Sequence, residues 1–478
     1  MPFLIGFLVI LAAFLAIIII RTATFKPKTQ PSPIETPEEF DKDGAVDALA
    51  RLVRHKTVSY RDSSLEDDKE FENFVNDLPN IYPEVYKTCS LEKFEGRGLL
   101  FKWSGKSEKV PVVLMAHYDV VPVDESGWEK PPFDAVLEDG VLWGRGTLDT
   151  KVTVNGVLFA ANTLIKQGFV PENDIYFAFS GSEEISGGGA PAIVDYFEKN
   201  KIDPAMVLDE GGAVVENVFP GVKKPCAVIG IAEKGIIDVA FEAKSKGGHS
   251  SAPGPHTPVG TLSAACVKIE SHPFKMKLSK PAAEMFDTLG RHSTLLYRII
   301  FANLWCFSPV LDLLGKKSGG EINALLRTTV AFTQAEGSAA PNVIPPKAKM
   351  VANLRLSPLD TMDSALEYLK KTVNDDSVEI SKIYGMNPSR ISTTDCEAWD
   401  KISLAVASTW KGSLVSPYLM IQCSDSRHYG KISDKVFRFS AMDLTKEERG
   451  TIHGHNERIR VECLHRTVEF YMRLMREC

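Results

Sequence analysis

Acids and histidines recur where apolar runs of the chain give way to polar loops. The run VVLMA ends at His117-Tyr118-Asp119, and the turn Gly144-Arg145-Gly146-Thr147-Leu148-Asp149 brings a carboxylate 32 residues after His117. The run IYFAF leads into Ser180-Gly181-Ser182-Glu183-Glu184, AMVL ends at Asp209-Glu210-Gly211-Gly212, and Ile452-His453-Gly454-His455-Asn456-Glu457 lies near the C-terminus. Imidazole and carboxylate without thiolate suit zinc, manganese or cobalt, with zinc the commonest choice. Two histidines and three acids are too few for two separate sites. They suffice if one carboxylate bridges two metals at roughly 3.5–4 Å. Two dications carry four positive charges, which three carboxylates and one hydroxide cancel. A fourth carboxylate is then free to act as a base.

Taken singly, each motif has a structural explanation. A histidine after a strand is often structural, paired glutamates are usually solvated, and aspartate after a strand often caps a helix. Their ordered occurrence at strand ends is the signal, because open α/β sheets build their sites beyond the carboxyl ends of the strands.

The elements that must position these residues read as follows. Val110–Ala116, Ile175–Phe179, Ala205–Leu208, Ala227–Ile231 and Ile236–Ala243 are apolar runs of strand length, with helical spacing over Thr153–Gln167 and Ala190–Lys199 between them. This alternation predicts an α/β catalytic domain with a mixed, largely parallel sheet, over residues 41–233 and 387–478. Between them, 234–386 reads as an inserted α+β domain of β-α-β-β-α-β order. Its helices are expected near Gly260–Ser271 and Met362–Asn374, with strands near Thr328–Ala335, Lys349–Leu356 and Ser377–Tyr384. Within it, about 274–325 is an apolar insertion, LLYRIIFANLWCFSPVLDLLG at its heart, long enough to resemble a second membrane span. Arg298, Pro309 and Asp312 favour an insertion packed on the inserted domain instead.

The composition is that of a folded protein: 44% hydrophobic, 24% charged, in 478 residues. The net charge of −7 argues against a nucleic-acid binder, which needs a basic stripe. Eight cysteines without a C-x-x-C pair exclude a disulfide scaffold, a zinc ribbon and a thioredoxin-like site. Residues 3–20, FLIGFLVILAAFLAIIII, are uncharged and just long enough to span a bilayer core. Arg21 follows at once and no small-x-small cleavage site is evident, which favours a single-pass signal anchor over a cleaved signal peptide. Residues 21–40 then read as a linker. Arg21, Lys26 and Lys28 after the span would place the body in the cytosol by the positive-inside rule, and the chain holds no usable N-x-[ST] sequon.

The motifs MAHYDVVP, GRGTLDTK, SGSEEISGGG, LDEGG, GGHSSAP, NVIPP and IHGHNE resemble the di-zinc aminoacylase/carboxypeptidase-S family of peptidases (M20 type). GWEKPPF, PNVIPP and SDSR are similar to its branch of carboxypeptidase S and the N-fatty-acyl-amino-acid synthase/hydrolases. The likeness runs from about Asp41 to the C-terminus. It implies two zinc ions per subunit, with His117 and Asp209 ending on one, Glu184 and His453 on the other, and Asp149 bridging both. It implies Glu183 as general base and Asp119 as the acceptor that orients His117; His455 is the weaker candidate beside His453. It further implies that His249, Asn342 and Arg355, on a lid and dimerisation domain, meet the substrate. Asp425 and Arg427 match the branch without an assignable role. Ser182 stands where many family members have an acid.

The resemblance implies cleavage, or in reverse formation, of the amide bond ahead of a free C-terminal amino acid. Substrates would be N-acyl or N-fatty-acyl amino acids or short peptides. It also implies a body on the lumenal, vacuolar or extracellular side, against the charge rule, and a homodimer through the lid. The competing reading is a membrane-tethered binding protein with dead chemistry on the same scaffold. All five metal positions and the base are present, so a live enzyme is expected.

Overall fold

Strand Ser107–His117 explains the fold in miniature. Val112, Leu114 and Ala116 enter one hydrophobic core while Val113 and Met115 enter another, so both faces are covered and the run reads as unbroken apolar sequence. The computed structural model describes residues 2–219 and 221–478. Its central sheet has the strand order Ser90–Phe94, Gly98–Trp103, Asn173–Ser180, Ser107–His117, Met206–Val215, Val436–Leu444, Cys226–Glu233, Leu414–Met420. Ser107–His117 runs parallel to both neighbours, as Val436–Leu444 does to Met206–Val215, while the first two strands and the Cys226–Glu233 boundary are antiparallel. The sheet is thus the mixed, largely parallel one expected. Helices Lys151–Lys166 and Val461–Arg476 cover one face with Phe177 and Phe437 between them, and Gly189–Lys199 covers the other through Phe197.

A second sheet has the order Thr329–Glu336, Lys347–Leu356, Gly235–Lys244, Val378–Met386, all antiparallel. Helices Pro258–Ser271 and Met362–Val373 bury Leu262 and Leu369 against Ile237, Val239 and Phe241. The chain order is strand, helix, strand, strand, helix, strand.

The apolar insertion goes elsewhere than expected. Helices Lys280–His292, Leu295–Ala302, Leu304–Ser318 and Gly320–Leu326 do not join the core of the second sheet. Met285, Phe286, Leu289, Phe301 and Leu325 pack with Phe219, Cys226, Leu414 and Leu419 of the catalytic sheet. The reason is an edge. Leu414–Met420, with Pro417 inside it, ends the central sheet, and Lys280–His292 lies along it and covers it.

Helix Pro2–Thr24 is the one described helix long and apolar enough to cross a membrane. The residues after it are not a free linker. They lack regular structure over 25–41 but are strapped to the body: Ile34 N donates to Ser408 Oγ at 2.9 Å, Val415 N to Gln30 Oε1 at 3.1 Å, and Arg473 Nη2 to the Thr36 carbonyl at 2.9 Å.

Candidate metal centre

Parallel register brings the motifs to one crevice. His117 pairs with Ser180, and Leu114 with Leu208, so the ends of three neighbouring strands lie side by side. Asp149 arrives from the turn before helix Lys151–Lys166, and His453 from the loop before strand Arg458–Arg460. That last strand pairs with Val141–Trp143, which clamps the C-terminal loop beside the Asp149 turn.

Asp149 sits between the two imidazoles. Its Oδ1 is 2.9 Å from His117 Nε2 and its Oδ2 is 2.9 Å from His453 Nε2. Each imidazole nitrogen meets one further carboxylate: Glu210 Oε1 lies 3.4 Å from His117 Nε2, and Glu184 Oε2 lies 3.2 Å from His453 Nε2. Glu183 joins His117 and Glu210 in a compact group of acid and imidazole atoms, and Asp149 and Glu184 form a second group with His117.

Glu210, not Asp209, is therefore the carboxylate facing His117. The strand expected to stop at Leu208 continues to Val215 with Glu210 and Gly211 in a bulge between the paired residues Asp209 and Gly212, and a bulge re-aims the side chain it carries. Asp209 turns away and its Oδ2 accepts from Ser426 N at 3.0 Å. Beyond Glu210, the chain needs glycine: a Cβ on Gly212 would lie 1.7 Å from the Val228 carbonyl oxygen.

Asp119 does more than steady one ring. His117 Nδ1 lies 3.0 Å from the Asp119 carbonyl oxygen and 3.4 Å from its Oδ1. The Asp119 carboxylate also accepts from Glu183 N, Glu184 N and Ser59 Oγ at 3.1, 3.1 and 2.7 Å. It thus locks the glutamate pair to the histidine strand. Ser182 ties the same loop down, its Oγ donating to the Gly96 carbonyl at 2.9 Å.

Two residues escaped the sequence reading. Glu457 is fully buried and accepts from Gly146 N, Leu148 N and Asp149 N at 3.1, 2.7 and 3.1 Å. Arg145 Nη1 meets it at 2.6 Å, and Arg145 Nη2 donates to the Gly454 carbonyl at 2.8 Å, beside His453. This pair holds Asp149 and the His453 loop in register. The loop needs holding, because His453 has φ 59°, a left-handed conformation rare outside glycine. The available signal was one of charge: an arginine in one glycine turn and an acid at the end of the last motif.

The electrostatics are those of an acid pocket short of positive charge. Burial alone would lower His117, but Glu210, Asp119 and Asp149 reverse this and hold it well above the usual imidazole range. Burial would raise Asp149, but hydrogen bonds from His117 and His453 pull it below the usual carboxylate range. Hydrogen bonds to Asp149 and Glu184 push His453 up to about 10. Burial, helped by the charge of Asp149, takes Glu210 up to about 8, and burial raises Glu183, Glu184 and Asp209 as well. Glu184 Oε1 is buried without any hydrogen-bond partner. A buried carboxylate oxygen without a donor costs at least about 1–3 kcal/mol. The surplus of buried acid, the orphaned oxygen and the hard oxygen and imidazole donors fit divalent metal ions.

His249, Asn342 and Arg355 fall in two places. His249 and Asn342 come together on an exposed two-stranded ribbon, where His249 pairs with Val343 and Ser250 N donates to the Asn342 carbonyl at 3.1 Å. Among the described residues no hydrogen bond joins them to the acid cluster. Arg355, on strand Lys347–Leu356, reaches the catalytic body, with Nη1 3.5 Å from Cys423 Sγ. Lys234 lies beside it, lowered to about 7 by burial and by the charge of Arg355, and Arg427 Nη2 donates to the Lys234 carbonyl at 3.4 Å. Two guanidinium groups thus gather where the two sheets meet, beside a buried lysine whose Nζ donates to the Ala324 and Arg327 carbonyls at 2.8 Å. His455 packs over Gly127, away from the acid cluster. Asp425 is buried beside Asp209, and burial raises it to about 7.

A sheet with acids and imidazoles at its strand ends, and an inserted α+β unit, defines a metallopeptidase of the amide-hydrolase type. Residues 113–477 match Peptidase family M20/M25/M40, and the chain belongs to that family. It is 34% identical to "Probable carboxypeptidase S-like 2" of Dictyostelium discoideum, over 98% of this chain and 92% of that protein. It is also 34% identical to "N-fatty-acyl-amino acid synthase/hydrolase PM20D1" of Xenopus tropicalis, over 98% and 94%. Among solved structures, an M20 family metallo-carboxypeptidase of Sulfolobus solfataricus matches 90% of this chain and 98% of its own, with TM-score 0.64 at 19% identity. Human carnosine dipeptidase 1 matches 91% and 97%, with TM-score 0.63 at 16% identity. These likenesses agree in fold with the catalytic sheet and inserted unit described above.

Proposed function

We propose that the chain is a two-zinc amidohydrolase that cleaves, or in reverse forms, the amide bond ahead of a free C-terminal amino acid. One observation carries this: a single carboxylate, Asp149, offers an oxygen to each of two imidazoles at 2.9 Å, and each imidazole has its own second carboxylate. His117 and Glu210 would hold one ion, His453 and Glu184 the other, with Asp149 shared. Zinc so bound supplies Lewis acidity to the amide carbonyl and lowers the pKa of water.

Glu183 is the proton carrier of this reading. It is half-buried against His117 and Glu210, and its raised affinity for protons suits a group that accepts one from water and delivers it to the leaving amine. Arg355 and Arg427 supply positive charge for the substrate's free carboxylate, and a guanidinium can fork onto that group. The ribbon carrying His249 and Asn342 reaches the substrate on closure of the inserted unit or from a second copy of the chain. The printed names of the relatives favour N-fatty-acyl amino acids and peptides as substrates. Helix Pro2–Thr24 is read as a retained single-pass anchor, since its last turn docks on the body, with Arg21 Nε donating to the Ala302 carbonyl at 3.0 Å. We place the body on the lumenal or outer side from the resemblance, against the charges of Arg21, Lys26 and Lys28.

The test is product analysis by mass spectrometry on N-acyl amino acids, N-fatty-acyl amino acids and dipeptides, each with a C-terminally amidated twin. Release of free amino acid only from the carboxylate forms, abolished by chelator and by Glu183→Gln, is the expected result. Equal turnover of the amidated twins would remove the carboxylate requirement. Equal turnover by Glu183→Gln would remove Glu183 from the mechanism.

A further inference from the structure

The helix pair Leu295–Ala302 and Leu304–Ser318 bends by 111° at Asn303. Neither arm approaches the roughly 20 residues a bilayer crossing requires. Yet Leu295, Leu296, Leu313 and Leu314 are 66, 67, 66 and 54% exposed, and Trp305 is 53% exposed. Arg298 and Asp312, the charges in the body of the pair, are tied up locally, and Lys316 and Lys317 stand at its C-terminal end. Arg298 Nη2 donates to the Ser293 carbonyl at 3.1 Å, and Asp312 pairs with Arg327 at 2.5 Å and Lys316 at 2.8 Å. What remains facing outward is chiefly hydrocarbon.

Its position identifies what covers it. The elbow docks on the N-terminal apolar helix: Asn303 Nδ2 donates to Thr22 Oγ1 at 3.2 Å, and Trp305 packs edge-on against Phe14 with ring centroids 5.6 Å apart. Phe14 lies six residues before Ile20, the last residue of the apolar run. At 1.5 Å per residue that is roughly 9 Å inside the run. A group at that level beside a spanning helix is itself below the membrane surface, and about 5–10 Å is the depth at which interfacial helices lie.

We propose that the pair Leu295–Ala302 and Leu304–Ser318 is a membrane-embedded wedge, seated in one leaflet of the lipid bilayer against the N-terminal helix. The proposal rests on the anchor reading of that helix. The wedge and the anchor together hold the catalytic body down on the membrane through two elements far apart in sequence.

The test uses the full-length protein in lipid nanodiscs containing phosphatidylcholine with a diazirine on its acyl chain. After photolysis, peptide mass spectrometry locates the label. Label in both 2–24 and 295–314 is expected, with Leu295→Ser/Leu296→Ser/Leu313→Ser/Leu314→Ser reducing the second to background and sparing the first. Label in 2–24 alone overturns the wedge and leaves the anchor standing. Label in neither overturns both. Cross-links from 295–314 to a second copy in place of lipid also overturn it. Quenching of Trp305 fluorescence by brominated acyl chains, lost in Trp305→Phe, tests the same depth without the leucine variant. Absence of that difference counts against the wedge.

Discussion

The acid cluster and the His249–Asn342 ribbon are both assigned to one reaction, yet they are built in opposite ways. The cluster draws on five stretches of chain, and buried donors fix its acids: three backbone amides and an arginine on Glu457, two amides and a serine on Asp119. The ribbon is two residues wide on each side and exposed, with His249 Nδ1 meeting only the neighbouring Ser251 at 2.9 Å. Burying charge demands a complete set of partners. A group that must meet and release a substrate has no such set. The first region is therefore fixed before substrate arrives and the second is free to move toward it.

The sharpest break of this contrast is Asp149→Ala. It should abolish metal content, read by elemental analysis, and reduce activity to background, because both imidazoles lose their shared partner. Glu183→Gln should lower kcat by about 10²–10⁴ with metal content intact. If metal is lost as well, Glu183 is a ligand and not a proton carrier. Arg145→Met leaves Glu457 buried without its cation and should cost about 3–5 kcal/mol in denaturant unfolding. Glu210→Gln should lower metal occupancy while Asp209→Asn should not; the reverse result would restore Asp209 as the ligand. His249→Ala should change stability by less than about 0.5 kcal/mol while lowering kcat/KM.

The pH dependence of the metal-free chain separates the regions further. His453 binds its proton more tightly folded than unfolded, with a folded pKa of about 10. Its contribution to stability is complete below the unfolded value of about 6.5 and is lost as the pH rises through about 10. Denaturant midpoints of the metal-free protein should fall across that window, and His453→Asn should flatten the fall. Loading metal near neutral pH should release protons, measurable in a weakly buffered solution, because His453 and Glu210 hold them beforehand.

Sequence made the strands of the catalytic sheet legible, because runs such as VVLMA are buried on both faces and lack polar alternation. The same feature hid the choice between Asp209 and Glu210. An apolar run that ends at Leu208 looks like the end of a strand, whereas pairing with Val436–Leu444 runs on through Asp209, skips Glu210 and Gly211 at a bulge, and resumes at Gly212. That bulge aims Glu210, and not Asp209, at His117. Glu457 and Arg145 were illegible for another reason: they lie 312 residues apart, and single charges carry no period. The insertion's apolar faces announced burial but not their partner. Only the exposed edge at Leu414–Met420 specified that.

The dependence of the Asp149 turn on Glu457 also bears on biosynthesis. Glu457 trails Asp149 by 308 residues. At roughly 5–20 residues per second, a growing polypeptide spends roughly 15–60 s with the turn made and its buttress still unmade. A ribosome-bound or prematurely terminated chain thus has no assembled hydrolytic centre, and peptide-cutting capacity arrives only with the final stretch of translation.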